Sequence, residues 1–310
     1  MPSRLYSRLA VSLFALSGIV FALNQSDETR GLKPREYAQQ LPQKVAKSRP
    51  PSTHHKRRTA PDYVPTVDDN SPMSEGIDVG ITFWRLRKAR KADDPTLSET
   101  TRIVKRVRGK EVEGTTKTIP ERVVSETAWS DGDMFRLGIE SPFECYIYIL
   151  NQERYADGTL SEPYLVFPSQ GDMSRRAKAA PGKLVYVPGE PDYFEISSLG
   201  VNGREKVAEV FVVLLSPLRL DALTPLAEGV ANSKVDSNLL QRLQREWDAR
   251  AWKFENLSTP GMSITKVEKH AGSNGAQVLT DDDPEPQTIY HIARKKGDAL
   301  LITVPVKTKK

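Results

Sequence analysis

Between residues 76 and 216, short runs of alternating apolar and polar residues follow one another, and none of the gaps holds a helical repeat. This limits what the chain can fold into, because parallel neighbouring strands need a crossover of about a dozen or more residues, usually a helix. "GIDVGITFWRLRK" puts Val79, Ile81 and Phe83 on one face, and "TRIVKRVRGKEVEG" reads as a polar hairpin turning at Gly109. After the turn signal "WSDGD", "MFRLGIES" points Phe135, Leu137 and Ile139 inward. In "FECYIYIL", Phe143, Cys145, Ile147 and Ile149 share one face, and Glu144, Tyr146, Tyr148 and Leu150 the other. "ADGT" turns the chain into "YLVFP", and "KLVYVP" and "YFEIS" are further short strands. Asn202-Gly203 is a favoured two-residue hairpin turn. It leads into "VAEVFVVLL", which is apolar on both faces and therefore central. Roughly eight strands punctuated by Gly, Pro, Asn and Asp predict a mainly β chain, an antiparallel β-sandwich of Ig-like or barrel-like form.

One strong helical pattern follows. In "DSNLLQRLQREWDARAW", Leu239, Leu243, Trp247 and Ala251 recur every fourth residue, so an amphipathic helix is expected over about 236–252. It should cover an edge or an opening of the sandwich. A shorter helix through "ITKVEKH" is expected to end at Gly272. The stretch 287–306 reads as a terminal hairpin turning at Lys296-Gly297-Asp298, and Pro305 marks its last strand as an edge or lies at that strand's end.

The N-terminus has a different character. Arg4 and Arg8 precede an uncharged, mostly apolar run from Leu9 to Ala22. Val20 and Ala22 fit a small-x-small cleavage site, so residues 1–22 read as a secretory signal peptide with Leu23 as the first mature residue. The apolar run is shorter than the roughly 20 residues a spanning helix needs, and the rival reading is an uncleaved anchor. Residues 23–75 are rich in Pro and basic side chains and poor in apolar ones, which predicts a tether without a core. The net charge of +5 comes from 45 basic and 40 acidic residues, and the densest basic cluster, His54 to Arg58, falls in that tether. A nucleic-acid binder concentrates its excess charge on a folded face or arm, so no nucleic-acid partner is expected.

Chemistry is sparse. The single cysteine, Cys145, excludes an intramolecular disulfide and alternates with apolar residues like a small core hydrophobe. Of the four histidines, His54 and His55 lie in the tether, His270 sits near a helix end, and His291 shares a face with Ile289 and Ala293. "DGTLSE" at 157–162 and "DDDPEP" at 281–286 are acidic loops without a calcium-loop pattern. No catalytic residue, metal ligand or cofactor is assigned. The remaining candidates are aromatic: Tyr146, Tyr148 and Tyr155, with Tyr164 and Phe167 across the hairpin. They form either a binding face for a protein or a sugar, or core beneath the helix bearing Trp247 and the nearby Trp252. The preferred expectation is burial.

"GITFWRL", "DGDMFRLGIESPFECYIYILNQERYADGTLSEPYLVFP", "PGKLVYVP" and "PQTIYHIARKKGDALLITVPV" together resemble the bacterial domain of unknown function 4384 family. The similarity spans about residues 77–306 and is strongest from Asp131 to Pro168. Members commonly carry Gly where this chain has Glu144 or Cys145. The resemblance implies the fold and secretion and brings no catalytic residues. The functional expectation is a secreted or periplasmic, non-enzymatic module that contacts a protein or a cell-envelope component. An envelope-directed hydrolase with carboxylate chemistry, or a small-ligand binder, is the alternative.

Overall fold

The computed structural model describes residues 76–107, 110–169, 176–200, 202–224, 233–247, 249, 251–274 and 277–309. The expected signal peptide and tether lie outside the described residues. The rest is an antiparallel β-sandwich with a helix on each outer face.

The first sheet is organised by β1 (Ile77–Lys88), buried along most of its length. One side of β1 pairs with β13 (Thr288–Ile292) and then with β3 (Lys110–Val123); the other pairs with β4 (Met134–Glu140). β12 (Ala251–Glu255) adds to β13, while β8 (Leu184–Val187) and β9 (Phe194–Glu195) add to β4. β2 (Glu99–Val107) pairs with β3 down to Val107↔Lys110, as the expected polar hairpin requires, and its turn at Gly109 lies outside the described residues. The β1–β3 ladder begins only at Thr118, so from there outward the hairpin is a two-stranded ribbon.

The second sheet runs β11 (Ser233–Lys234), β6 (Tyr164–Phe167), β5 (Cys145–Tyr155), β10 (Lys206–Ser216), β14 (Leu300–Lys307), with β7 (Lys178–Ala179) also on β5. β10 is central, as its two apolar faces require, and β14 with Pro305 is an edge. Between the sheets lies the main core. Val79, Ile81, Phe83, Phe135, Leu137 and Ile139 meet Cys145, Ile147, Ile149, Phe211, Val213 and Ile302 there.

The expectations about the C-terminal third need four corrections. Helix α1 spans Ser237–Trp247 and lies on the outer face of the second sheet, not at an edge or opening. It buries Leu240, Leu243 and Trp247 against Tyr148, Leu150, Val212 and Leu214. Residues 251–255 form β12 instead of a last helical turn, so Trp252 belongs to the first sheet, its ring 5.5 Å from that of His291. The stretch 287–306 is not a hairpin, because β13 pairs in the first sheet and β14 in the second. The turn at Gly297, whose φ of 93° suits glycine, carries the chain across the sandwich.

Helix α2 (Lys266–Asn274) continues past Gly272. Its start is a capping box: the Glu268 side chain accepts from Thr265 N at 2.9 Å, and Glu268 N donates to Thr265 Oγ1 at 3.2 Å. Gly272 is required by contact rather than by termination, since a Cβ there would lie 2.0 Å from Tyr186 Cε2. α2 thereby closes the outer face around Trp84, Leu184 and Tyr186. No helix among the described residues is long and apolar enough to cross a membrane.

Candidate ligand-binding cleft

The strand pair β5–β10 runs from the packed core to an open end of the sandwich, and the cleft lies at that end. Period two puts Asn151, Glu153 and Tyr155 on the inner face with Ile149. On β10, Glu209 and Phe211 oppose Glu153 and Asn151. The register shifts between Lys206 and Ala208, so Lys206 pairs with Tyr155. An inserted residue reverses the alternation, which brings Lys206 to the same face as Glu209.

These residues form a connected polar floor. The Lys206 ammonium donates to Glu209 Oε1 and reaches Glu153 Oε1 at 3.5 Å. Asn151 Nδ2 donates to Glu209 Oε2 at 3.0 Å, and Tyr155 Oη donates to Glu153 Oε2 at 2.7 Å. Lys206 is 4% exposed and both glutamates are 9% exposed. Ions so far out of water persist only when paired and hydrogen-bonded, as these are. Burial, then the bond to Glu153, raises the pKa of the Tyr155 hydroxyl, so it remains a proton donor. At the mouth the Arg204 guanidinium lies 3.9 Å from the Tyr155 ring centre, and it donates to Asp157 and to Thr159 Oγ1.

The facing wall is aromatic. Phe194 of β9 is 5.0 Å from Phe211 and 5.4 Å from Phe135, ring centre to ring centre. Tyr164 and Val166 of β6 add a side wall, and Leu160 to Glu162 and Asn202 complete the rim of a cavity of about 620 Å³.

The five aromatic residues singled out above do not form one face. Tyr146 and Tyr148 point to the outer side beneath α1, where Tyr148 is fully buried and its hydroxyl accepts from Leu220 N at 2.9 Å. Phe167, opposite Ile149, sits in the core between the sheets. Only Tyr155 and Tyr164 reach the cleft. A single aromatic platform is thus ruled out by strand parity, because neighbouring positions serve opposite faces. Trp247 covers the tyrosine face and Trp252 does not. Reading by residue type missed Lys206, Glu153, Glu209 and Phe194. Period two alone puts Lys206 opposite Glu209, and the bulge that reverses it has no local signature.

The other candidates are accounted for by packing. Cys145 is buried between the sheets, and burial first of all pushes its thiol up to about 11. His291 is buried with Nδ1 2.7 Å from Asp78 Oδ1. His270 is exposed on α2, and His54 and His55 lie outside the described residues. Asp157 Oδ1 accepts from Thr159 N at 3.0 Å and Asp283 Oδ2 from Thr280 N at 2.8 Å, so both acidic loops are turns closed by their own carboxylates. No group of three or more His, Cys, Asp or Glu among the described residues is placed to hold a metal. No family model matches the chain, and neither the curated proteins nor the solved structures contain a match to it.

Proposed function

We propose that this chain is an exported, non-enzymatic β-sandwich module that works by holding a ligand or partner group in the cleft at the open end of its two sheets. The observation that carries the reading is the composition of that cleft. Aromatic walls and a hydrogen-bonded floor converge on one space, as binding sites require. The charged n-region and apolar run before residue 23 support export, and the resemblance over about residues 77–306 is part of the same proposal.

One observation favours a hydrolase instead: Glu153 and Glu209 face each other across the ladder at the cleft. Paired carboxylates are the basis of glycosidase chemistry. Here Lys206 contacts both carboxylates, and Asn151 and Tyr155 each hold a further oxygen. A general acid or base needs an oxygen available to the substrate, so binding is the stronger reading.

Small aromatic amines, acids and sugars offered to the full-length protein, read by backbone amide shifts, test the proposal. The expected result is perturbation first at Asn151, Tyr155, Tyr164 and Phe194. Shifts confined to the β2–β3 ribbon or to the sheet edges contradict it. Turnover of a glycoside, abolished by Glu209→Gln, establishes the hydrolase.

A further inference from the structure

Resting on the cleft as the binding site, we propose that its ligand is a small organic cation, a protonated amine carried on an aromatic or alkyl body. The sign of the charge is the first ground. The whole chain is net positive, +5. Yet among the described residues Glu153, Glu162, Glu195 and Glu209 line the cleft with a single basic residue, Arg204. Lys206 contacts Glu153 and Glu209, Lys234 lies 3.5 Å from Glu162 and Asp157 is paired with Arg204, which still leaves the carboxylates in excess. Such an excess draws cations and repels anions.

The second ground is that the chain already seats two cations of its own on these walls. Arg204 stacks on the face of Tyr155 and is neutralised by Asp157. Lys206 is held between Glu153 and Glu209. A ring face beside a carboxylate is a favourable seat for an ammonium or guanidinium group.

The third ground is where space remains. With Glu153 and Glu209 engaged by Lys206, Asn151 and Tyr155, the exposed acids are Glu162 and Glu195 at the rim, where Glu162 accepts from Ser237 Oγ at 2.8 Å and lies 3.5 Å from Lys234, and Glu195 has the Tyr193 hydroxyl beside it. The apolar wall of Phe194, Phe211 and Phe135 lies inside them. A ligand that matches both has its ammonium at the rim and its hydrocarbon body inward.

The test uses three probes of similar shape on the full-length protein: 2-phenylethylammonium, 2-phenylethanol and 3-phenylpropionate, titrated at low salt and followed by amide shifts. The ammonium is expected to shift Tyr155, Tyr164 and Phe194 and to bind about tenfold more tightly than the other two, as two rim charges allow. That preference should shrink to about twofold in Glu162→Gln/Glu195→Gln and weaken as salt is raised. Equal or tighter binding of the alcohol or the acid at the same amides overturns the cation class and leaves the cleft as a site. A preference that survives the double substitution or added salt overturns the rim carboxylates as its source. If no probe moves the cleft amides, both the ligand class and the cleft reading fail.

Discussion

At one end of the β5–β10 ladder, Ile147 faces Leu215 and Ile149 faces Val213, all of them buried. At the other end of the same ladder, Glu153 faces Glu209 and Tyr155 faces Lys206. Apart from the bulge between Lys206 and Ala208 the backbone pairing is the same at both ends, so the contrast lies in the inner side chains. Where they are aliphatic, the two sheets meet and exclude water, which is the favourable term in folding. Where they are ionised, each needs fixed partners, and the sheets stay apart around a cavity of about 620 Å³. Buried ion networks are often no more stable than apolar residues of similar volume. A polar end therefore points to recognition rather than to stability, and the following experiments set the two ends against each other.

The largest effect belongs to the dry side of the sheet. Trp247→Ala removes the indole that α1 lays over Tyr148 and Leu214, and it should cost about 3–5 kcal/mol in urea unfolding. A loss below about 1 kcal/mol would mean that α1 is loosely attached and that the outer face is available for binding. At the wet end, Lys206→Met leaves two buried carboxylates facing each other without their cation, and a loss of about 3 kcal/mol is expected. A loss below about 1 kcal/mol would contradict the ion network.

The first sheet offers a further comparison. Buried Glu99 is bonded to buried Arg136, with Glu190 also close. Desolvation raises the Glu99 pKa to about 7, Arg136 opposes the rise, and Glu190 adds to it. A carboxyl with a raised folded-state pKa binds its proton more tightly folded than unfolded. Its stabilising contribution is present below about pH 4.5 and is lost as pH rises through about 7. Wild-type stability should therefore fall between pH 5 and 8, by up to about 3 kcal/mol from this group. Glu99→Gln should flatten the fall, and an unchanged slope in the variant would contradict the assignment. The smallest effect is expected at the rim. Tyr164 is 39% exposed, and Tyr164→Ser should change stability by less than about 1 kcal/mol while weakening whatever the cleft holds. A larger loss of stability would make Tyr164 a packing residue.

These contrasts also show what was legible in the chain. Alternation in "MFRLGIES" and "FECYIYIL" identifies the inner faces correctly, because period two is a local property of a strand. Thr265 and Glu268 carry a capping box in their spacing. Partner choice is not local. The runs around Tyr290 and Ile302 look like two arms of a hairpin, yet Ile292 pairs with Ile77 and Ile302 with Val213. Ala251 fits both a helical repeat and a strand, and pairing with Ile292 decides for the strand. The cleft was the least legible part. It depends on the bulge after Lys206 and on Phe194, brought in from the other sheet.

The most direct test replaces the whole polar floor at once, in Lys206→Met/Glu153→Leu/Glu209→Leu, and compares urea midpoints and 2-phenylethylammonium binding with those of the wild type. If the ions are kept for recognition, the midpoint stays level or rises, and 2-phenylethylammonium binds more weakly, with smaller amide shifts at Tyr164 and Phe194. A stability loss of about 3 kcal/mol or more, with binding retained, would make the polar end a structural element and contradict the account.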